Sequence, residues 1–222
     1  MIFTAFDLDG TLIDSHELIF DELDRIGYTV DRDDISEYDI KHIEGNEPPV
    51  DFQWDLFFYR LFVEKWDLIG PVDDYVSDFL SLVYGDGSEV IKVVTARPLG
   101  ALIHNATSMT LGKIFPDIDF SIDVVSTSDK FRYLQGYNIV FEDRRRTCID
   151  LAERGKLVFM IDRTYNQIEP TDVDIPIIYI SELSGRDPYA SLAGTIVRFR
   201  NYREVLELPK GVMNFCFDPA LY

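Results

Sequence analysis

The sequence predicts an α/β fold, a doubly wound parallel sheet carrying a helical insertion behind its first strand. Three observations predict it. An apolar run, Ile2-Phe3-Thr4-Ala5-Phe6, stops at Asp7-Leu8-Asp9-Gly10-Thr11, as a short buried strand stops at a turn. Residues 14–86 read as helical, with no strand alternation interrupting them, whereas from Glu89 onward short apolar runs alternate with helical segments. Crossovers of that length join parallel strands, so the alternation implies a sheet wound by helices.

Taken in order, Ser15 is placed to cap a helix running to about Arg25, with Leu18, Ile19, Leu23 and Ile26 near helical spacing and Gly27 ending it. Residues 31–49 are polar and broken by Gly45-Asn46 and Pro48-Pro49, which reads as short helix and loop. Trp54, Leu56, Phe57, Phe58, Leu61, Phe62 and Trp66 then recur at i, i+3 and i+4, an amphipathic helix with a wide apolar face. Its aromatic stripe reads either as packing or as part of a wall that stacks on a base or sugar. Another helix is expected over residues 72–84, ended by Gly85-Asp86-Gly87. These boundaries divide the chain into a core of residues 1–13 and 87–222 and a helical cap of residues 14–86.

Within the core, the run at residues 90–94 ends at Thr95-Ala96-Arg97-Pro98, and Pro98 is suited to open a helix to about Leu111. Residues 122–125, 138–141 and 157–161 are the next strands, separated by helices ending near Gln135 and Glu153. A short run at residues 177–180 and a helix over residues 188–206 complete the pattern.

Composition narrows the function. At 222 residues the chain can bury a substantial core, and 46% hydrophobic with 27% charged residues is ordinary for a folded soluble protein. The 21 basic against 40 acidic residues give a net charge of −19, which opposes non-specific binding to nucleic acid or to anionic membranes. An anionic small substrate remains compatible, because a lysine and a divalent cation can reverse the field inside one pocket. Arg144-Arg145-Arg146 and Arg198-x-Arg200-x-x-Arg203 are the basic clusters, and charged helix faces account for them better than a polynucleotide site. Cys148 and Cys216 form neither Cys-x-x-Cys nor a Cys/His group, which fits a reducing, cytoplasmic location. Asp7 comes too early for a signal peptide, and no run nears the roughly 20 apolar residues of a spanning helix, so no membrane partner is expected. His16, His42 and His104 fit no ligand spacing and read as structural.

In an open parallel sheet, ligands bind beyond the carboxyl ends of the strands. That edge should collect Asp7 with Asp9, then Thr95, then Lys130, then Glu142 with Asp143. A phosphate monoester is anionic, and its hydrolysis needs positive charge around the phosphoryl oxygens, an aligned nucleophile and a proton for the leaving alkoxide. The ordered set Asp-Leu-Asp-Gly-Thr, an apolar strand to Thr95, Lys130, and an apolar strand to Glu142-Asp143 resembles the haloacid dehalogenase superfamily, specifically its magnesium-dependent phosphatases. The resemblance covers residues 1–13 and 89–166 and implies a Rossmann-like core with an inserted cap. It implies Asp7 as the nucleophile that forms an aspartyl-phosphate, and Asp9 as the acid that protonates the leaving oxygen and then the base that activates water. Neighbouring carboxylates tend to separate in pKa, which suits one ionised and one protonated group. It further implies Mg²⁺ held by Asp7, the backbone carbonyl of Asp9 and Asp143, with Glu142 in support; which of the two adjacent acids contacts the ion stays open. Thr11, Thr95, Arg97 and Lys130 are the candidate substrate contacts, Arg97 either meeting a second anionic group or pairing with an acidic neighbour. Dehalogenases of the superfamily lack the second Asp, so Asp9 argues for phosphoryl transfer.

The substrate is less defined. From Phe141-Glu142-Asp143-Arg144 to Ile161-Asp162-Arg163-Thr164-Tyr165-Asn166 the chain is similar to the motif-four region of 5'(3')-deoxyribonucleotidase-like proteins, which implies a nucleoside 5'-monophosphate. Gly10-Thr11 stands where those proteins usually carry Gly-Val, and Gly-Thr is commoner in sugar-phosphate phosphatases of the superfamily. A phosphatase or phosphomutase for a small sugar or organic phosphate is therefore the alternative. In a different class lies a non-catalytic phospholigand-binding protein on the same scaffold. Such a protein is expected to have lost one of Asp7, Asp9, Lys130 or Asp143, and all four are present.

Overall fold

The computed structural model describes residues 3–28, 52–84, 90–168, 173–185 and 192–217. The polar stretch at 31–49, His42, the Gly85–Gly87 break and the start of the helix expected at 188 lie outside the described residues. In chain order the elements are β1 (Thr4–Phe6), β2 (Ile13–Asp14), α1 (His16–Arg25), α2 (Trp54–Glu64), β3 (Gly70–Pro71), α3 (Val76–Tyr84), β4 (Ile91–Thr95) and α4 (Ala101–Ile114). There follow β5 (Phe120–Val124), α5 (Lys130–Leu134), β6 (Ile139–Glu142), α6 (Arg145–Glu153), β7 (Leu157–Ile161), β8 (Ile177–Tyr179), β9 (Ile196–Phe199), α7 (Tyr202–Leu206) and α8 (Lys210–Phe217).

Seven strands make one parallel sheet in the order β5-β4-β1-β6-β7-β9-β8. The expected Rossmann-like, doubly wound α/β architecture is thus the observed one. From β1 the chain builds outward first through β4 and β5, then on the other side through β6 and β7. The order reverses at β1, so the crevice beyond its carboxyl end is where such a sheet places ligands.

Burial explains why the strands carry no alternation. Phe6, Val93, Phe141 and Phe159 face one core, while their neighbours Ala5, Val94, Val140 and Val158 face the other. A sheet covered on both faces needs apolar residues at every position. On the first face Phe6, Phe141 and Phe159 stand in register across β1, β6 and β7 and stack at centroid separations of 4.6 and 4.8 Å. Phe79 of α3 and Tyr202 of α7 close over Phe141 at 5.5 and 6.0 Å.

Four elements depart from the sequence reading. The segment at 188–206, read as one helix, contains β9, which pairs with both β7 and β8, and among its described residues only α7 is an α-helix. Ile196-Val197-Arg198-Phe199 is buried throughout, and a short run buried on both sides has no period that separates strand from helix. Across the boundary drawn between core and cap, β2 and β3 form a two-residue antiparallel pair, Ile13 opposite Pro71 and Asp14 opposite Gly70. α3 packs through Phe79 on the sheet's aromatic row, so it covers the core although the reading places it in the cap. Ser15 does not cap α1 with its side chain; Asp14 does, its Oδ1 accepting from the backbone N–H of His16 and Glu17. Among the described residues, no helix is long and apolar enough to cross a membrane.

The basic cluster at 198–203 is likewise not a single helix face. Arg198 is buried on β9 and pairs with Asp162 at 2.6 Å, while Arg200 and Arg203 pair with Glu204 and Glu207 four residues on.

The aromatic row carries a stability prediction. Phe141→Ala removes the central ring of the stack and should lower unfolding free energy by about 3–5 kcal/mol, measured by denaturant titration. A loss below about 1 kcal/mol would remove the row from its supporting role.

Candidate active site

The site grows from the carboxyl ends of β1, β4 and β6. Asp7 still pairs with β6 through its N–H to the Phe141 carbonyl at 2.8 Å, which fixes its position at the sheet edge. The chain then turns tightly: the Leu8 carbonyl accepts from the N–H groups of Leu12 and Ile13 at 2.9 and 3.1 Å, and Leu8 and Leu12 are wholly buried beneath the loop. Gly10 is demanded twice. Its φ is +73°, and a Cβ there would stand 2.8 Å from Asp143 Cγ and 2.9 Å from the Tyr165 hydroxyl.

Lys130, the first residue of α5, brings its Nζ to 2.8 Å from Asp7 Oδ1 and 2.7 Å from Glu142 Oε2. The other Glu142 oxygen accepts from the Arg144 N–H at 3.1 Å. Asp143 differs from its neighbour. Its Oδ2 accepts from the Tyr165 hydroxyl at 2.6 Å, while Oδ1 is buried with no hydrogen-bond partner among the described residues. Asn166 locks the Asp143 backbone in place, its Nδ2 donating to the carbonyls of Asp143 and Ile161, both at 2.7 Å. Carboxylate oxygens of Asp7, Glu142 and Asp143 all lie within 4.8 Å of one another.

Asp9 has separate company. Arg97 donates from Nε to Oδ2 at 2.7 Å and from Nη2 to Oδ1 at 2.6 Å, and the Thr95 hydroxyl donates to Oδ2 at 3.3 Å. Arg97 thus takes the second of the two readings its position allowed, pairing with an acidic neighbour.

These surroundings push the two carboxyls apart. Burial first, then the nearby Glu142 charge, raises Asp7 from 3.8 to about 7 against the opposing pull of Lys130. Asp143 also rises to about 7, through burial and then the charge of Asp7. Burial pushes Asp9 upward too, but the Arg97 guanidinium, by charge and by hydrogen bonding, outweighs it and holds Asp9 below the ordinary value. Lys130 is raised because Asp7 and Glu142 together overcome its burial. The two carboxyls do separate, Asp7 raised and Asp9 lowered, and for Asp7, as for Asp143, burial and like charge outweigh the positive charge nearby.

A divalent cation would correct this, and the residues fit one. Hard cations take oxygen donors and carboxylates. Asp143 Oδ1 is a buried oxygen beside Asp7 with no hydrogen-bond partner among the described residues, and burial, then like charge, raises both carboxyls. Glu142 has both oxygens engaged, so its part is to hold Lys130, whereas Asp143 has an oxygen to offer.

Two adjoining cavities receive these groups. A chamber of about 40 Å³ is lined by Asp7, Asp9, Thr95, Lys130, Glu142 and Arg144. A cleft of about 440 Å³, sharing Asp9, Thr127 and Arg144 with it, is walled by Ile19 of α1 and by Phe58 and Phe62 of α2. Thr11 lines neither; it is wholly buried in the turn. Sequence reasoning missed several contributors. Tyr165 and Asn166 were visible as a motif without a role, Arg144 was absorbed into a charged helix face, and His16, read as structural, lines the larger cleft.

Comparison with protein-family models and with curated proteins gives no match. The functional reading therefore rests on the residues and their arrangement.

The raised carboxyls set a pH dependence. A carboxyl whose folded pKa exceeds its unfolded one stabilises the fold fully below the unfolded value of 3.8, and that contribution is lost as pH rises towards 7. The depressed Asp9 acts the other way, but only as pH falls below 3.8, so the windows do not overlap. In chelator, the melting temperature should fall from pH 4 to pH 7, and less steeply in Asp143→Asn. Magnesium should raise the melting temperature more at pH 8 than at pH 5.5, because the ligands must be ionised. Scanning fluorimetry reads both, and an undiminished magnesium shift in Asp143→Asn would remove Asp143 from the ligand set.

Proposed function

We propose that the chain is a magnesium-dependent phosphomonoesterase of the haloacid dehalogenase type. The observation that carries this reading is the meeting of Asp7, Lys130, Glu142 and Asp143 at the carboxyl ends of β1 and β6, where Asp7, Lys130 and Glu142 line a chamber of about 40 Å³.

In this reading an Asp7 oxygen bonds to phosphorus as the bond to the leaving oxygen breaks. The leaving oxygen takes a proton from the Asp9 carboxyl, which gains that proton from solvent when the anionic ester binds beside it and opposes the pull of Arg97. Water then attacks the aspartyl-phosphate, giving its proton to Asp9 and restoring both carboxyls. Lys130 offsets the charge gathered by nucleophile and phosphate, and the Thr95 hydroxyl at the chamber wall donates to a phosphoryl oxygen. Magnesium, held by Asp7 and Asp143, would supply positive charge at the phosphoryl oxygens. A reducing, cytoplasmic setting belongs to the same reading, with Cys148 buried and free.

The substrate we infer is a nucleoside 5'-monophosphate. Its support is the adjoining cleft of about 440 Å³, which combines the rings of Phe58 and Phe62 with the polar Ser126, Thr127 and Arg144. Such a volume suits a small organic ligand, and the rings suit a flat base.

Two measurements test these statements. With magnesium the protein should release p-nitrophenol from p-nitrophenyl phosphate, chelation should stop it, and Asp7→Asn should lower kcat on the order of 10³-fold or more. Full activity in that variant would sink Asp7 as nucleophile. For the substrate, Phe58→Ala should raise KM for nucleoside monophosphates about 10-fold with kcat little changed, since stacking on one ring contributes roughly 1–3 kcal/mol. Glycerol phosphate should show no such rise, and equal effects on both would reject the base-stacking wall.

A further inference from the structure

We propose that Tyr165 is a positioning residue for the metal site: by holding Oδ2 of Asp143 it makes that carboxylate a one-oxygen ligand and biases the site towards magnesium over calcium. This assignment rests on the magnesium part of the reading above and on none of its reaction steps.

The two oxygens of Asp143 are treated differently. Oδ2 accepts from the Tyr165 hydroxyl at 2.6 Å, whereas Oδ1 is buried with no hydrogen-bond partner among the described residues. A carboxylate turns about its Cβ–Cγ bond unless one of its oxygens is held, and a bond from a phenol hydroxyl fixes both its plane and which oxygen is left to offer. Asp143 is wholly buried, so bulk water does not compete for that bond.

Tyr165 is itself fixed from several sides. It lies in the short turn Thr164–Asn166 that follows β7. The next residue, Asn166, donates from Nδ2 to the carbonyls of Asp143 and Ile161, and its Oδ1 accepts from the Arg163 N–H at 2.9 Å. Arg163 reaches from Nη2 to the Gly10 carbonyl at 3.3 Å. The Tyr165 ring stands against His16 of α1, 5.2 Å between centroids, and its hydroxyl occupies the space that a Cβ on Gly10 would enter. The hydroxyl is thus aimed by the loop after β1, by α1 and by the backbone of the residue it serves.

One-oxygen ligation separates hard cations. Magnesium demands near-ideal octahedral geometry at short bond lengths, whereas calcium gathers more oxygens at longer distances and readily takes both oxygens of a carboxylate. An oxygen already engaged by a hydroxyl is withdrawn from the second mode. Tyr165 brings no formal charge, so removing its hydroxyl changes which oxygens are offered and leaves the charge of the site as it was.

The test is titration calorimetry of the chelator-treated chain with magnesium alone and with calcium alone at pH 8. Tyr165→Phe removes one hydroxyl and keeps the ring. It should weaken magnesium binding about 10-fold, the scale on which losing an outer partner affects a metal site. Calcium binding should stay where it was or tighten, so the ratio of the two constants moves towards calcium. Unfolded chain changes the number of sites and not the constants of the folded fraction. Should Tyr165→Phe fail to fold, His16→Ala, which removes the ring that Tyr165 rests against, should move the ratio the same way by a smaller factor. Parallel weakening of both cations, or an unmoved ratio, overturns the assignment of Tyr165 alone. Binding of neither cation to the unaltered chain overturns the magnesium reading and this one with it.

Discussion

Lys130 places one ammonium among three buried carboxylates, 2.8 Å from Asp7 and 2.7 Å from Glu142, with Asp143 in the same cluster. Buried charges persist only when paired, and among the described residues Lys130 is paired with Asp7 and Glu142 at once, while Asp143 has only the more distant charges of Lys130 and Arg163 to offset its burial. The excess appears as the raised carboxyls of Asp7 and Asp143 and the raised ammonium of Lys130. Such a cluster costs stability in the bare chain and gains it back from added positive charge. That imbalance is what makes Asp7, Glu142 and Asp143 a group that could hold a divalent cation.

The sheet is what allows the imbalance to exist. β1 lies between β4 and β6, and the row of Phe6, Phe141 and Phe159 anchors β1, β6 and β7 as a unit directly beneath the acids. The rigidity of that stack holds like charges close that would otherwise move apart. At the loop above it, Gly10 yields the space that Asp143 and Tyr165 occupy, so turn and cluster are fitted to each other.

Two aspartates two residues apart receive different treatment because different elements reach them. Lys130 from α5 meets Asp7, and Arg97 from the end of β4 meets Asp9. The first carboxyl is raised to about 7 in spite of its pairing; the second is held below the ordinary carboxylate value by its pairing. Both aspartates lie past Phe6, the last residue of β1, where the chain turns on the Leu8 carbonyl, so the two-residue repeat that would put them on one face of a strand does not apply.

By itself the sequence determined the sheet class and the identity of the acids, lysine and threonine at the strand ends. Apolar runs that stop at polar residues are local signals, and a parallel sheet gathers such ends without further instruction. It also carried the Asp-x-x-Tyr-Asn segment, though without a role for Tyr165 or Asn166. Only the tertiary structure decided the partners. The fork from Arg97 to Asp9 spans 88 positions, the Tyr165 contact to Asp143 spans 22, and β9 is a strand because β7 and β8 flank it. Choice of ion-pair partner, which acid keeps a free oxygen, and whether a doubly buried run extends or coils all depend on what packs against them from elsewhere in the chain. Spacing along the sequence holds no record of those neighbours.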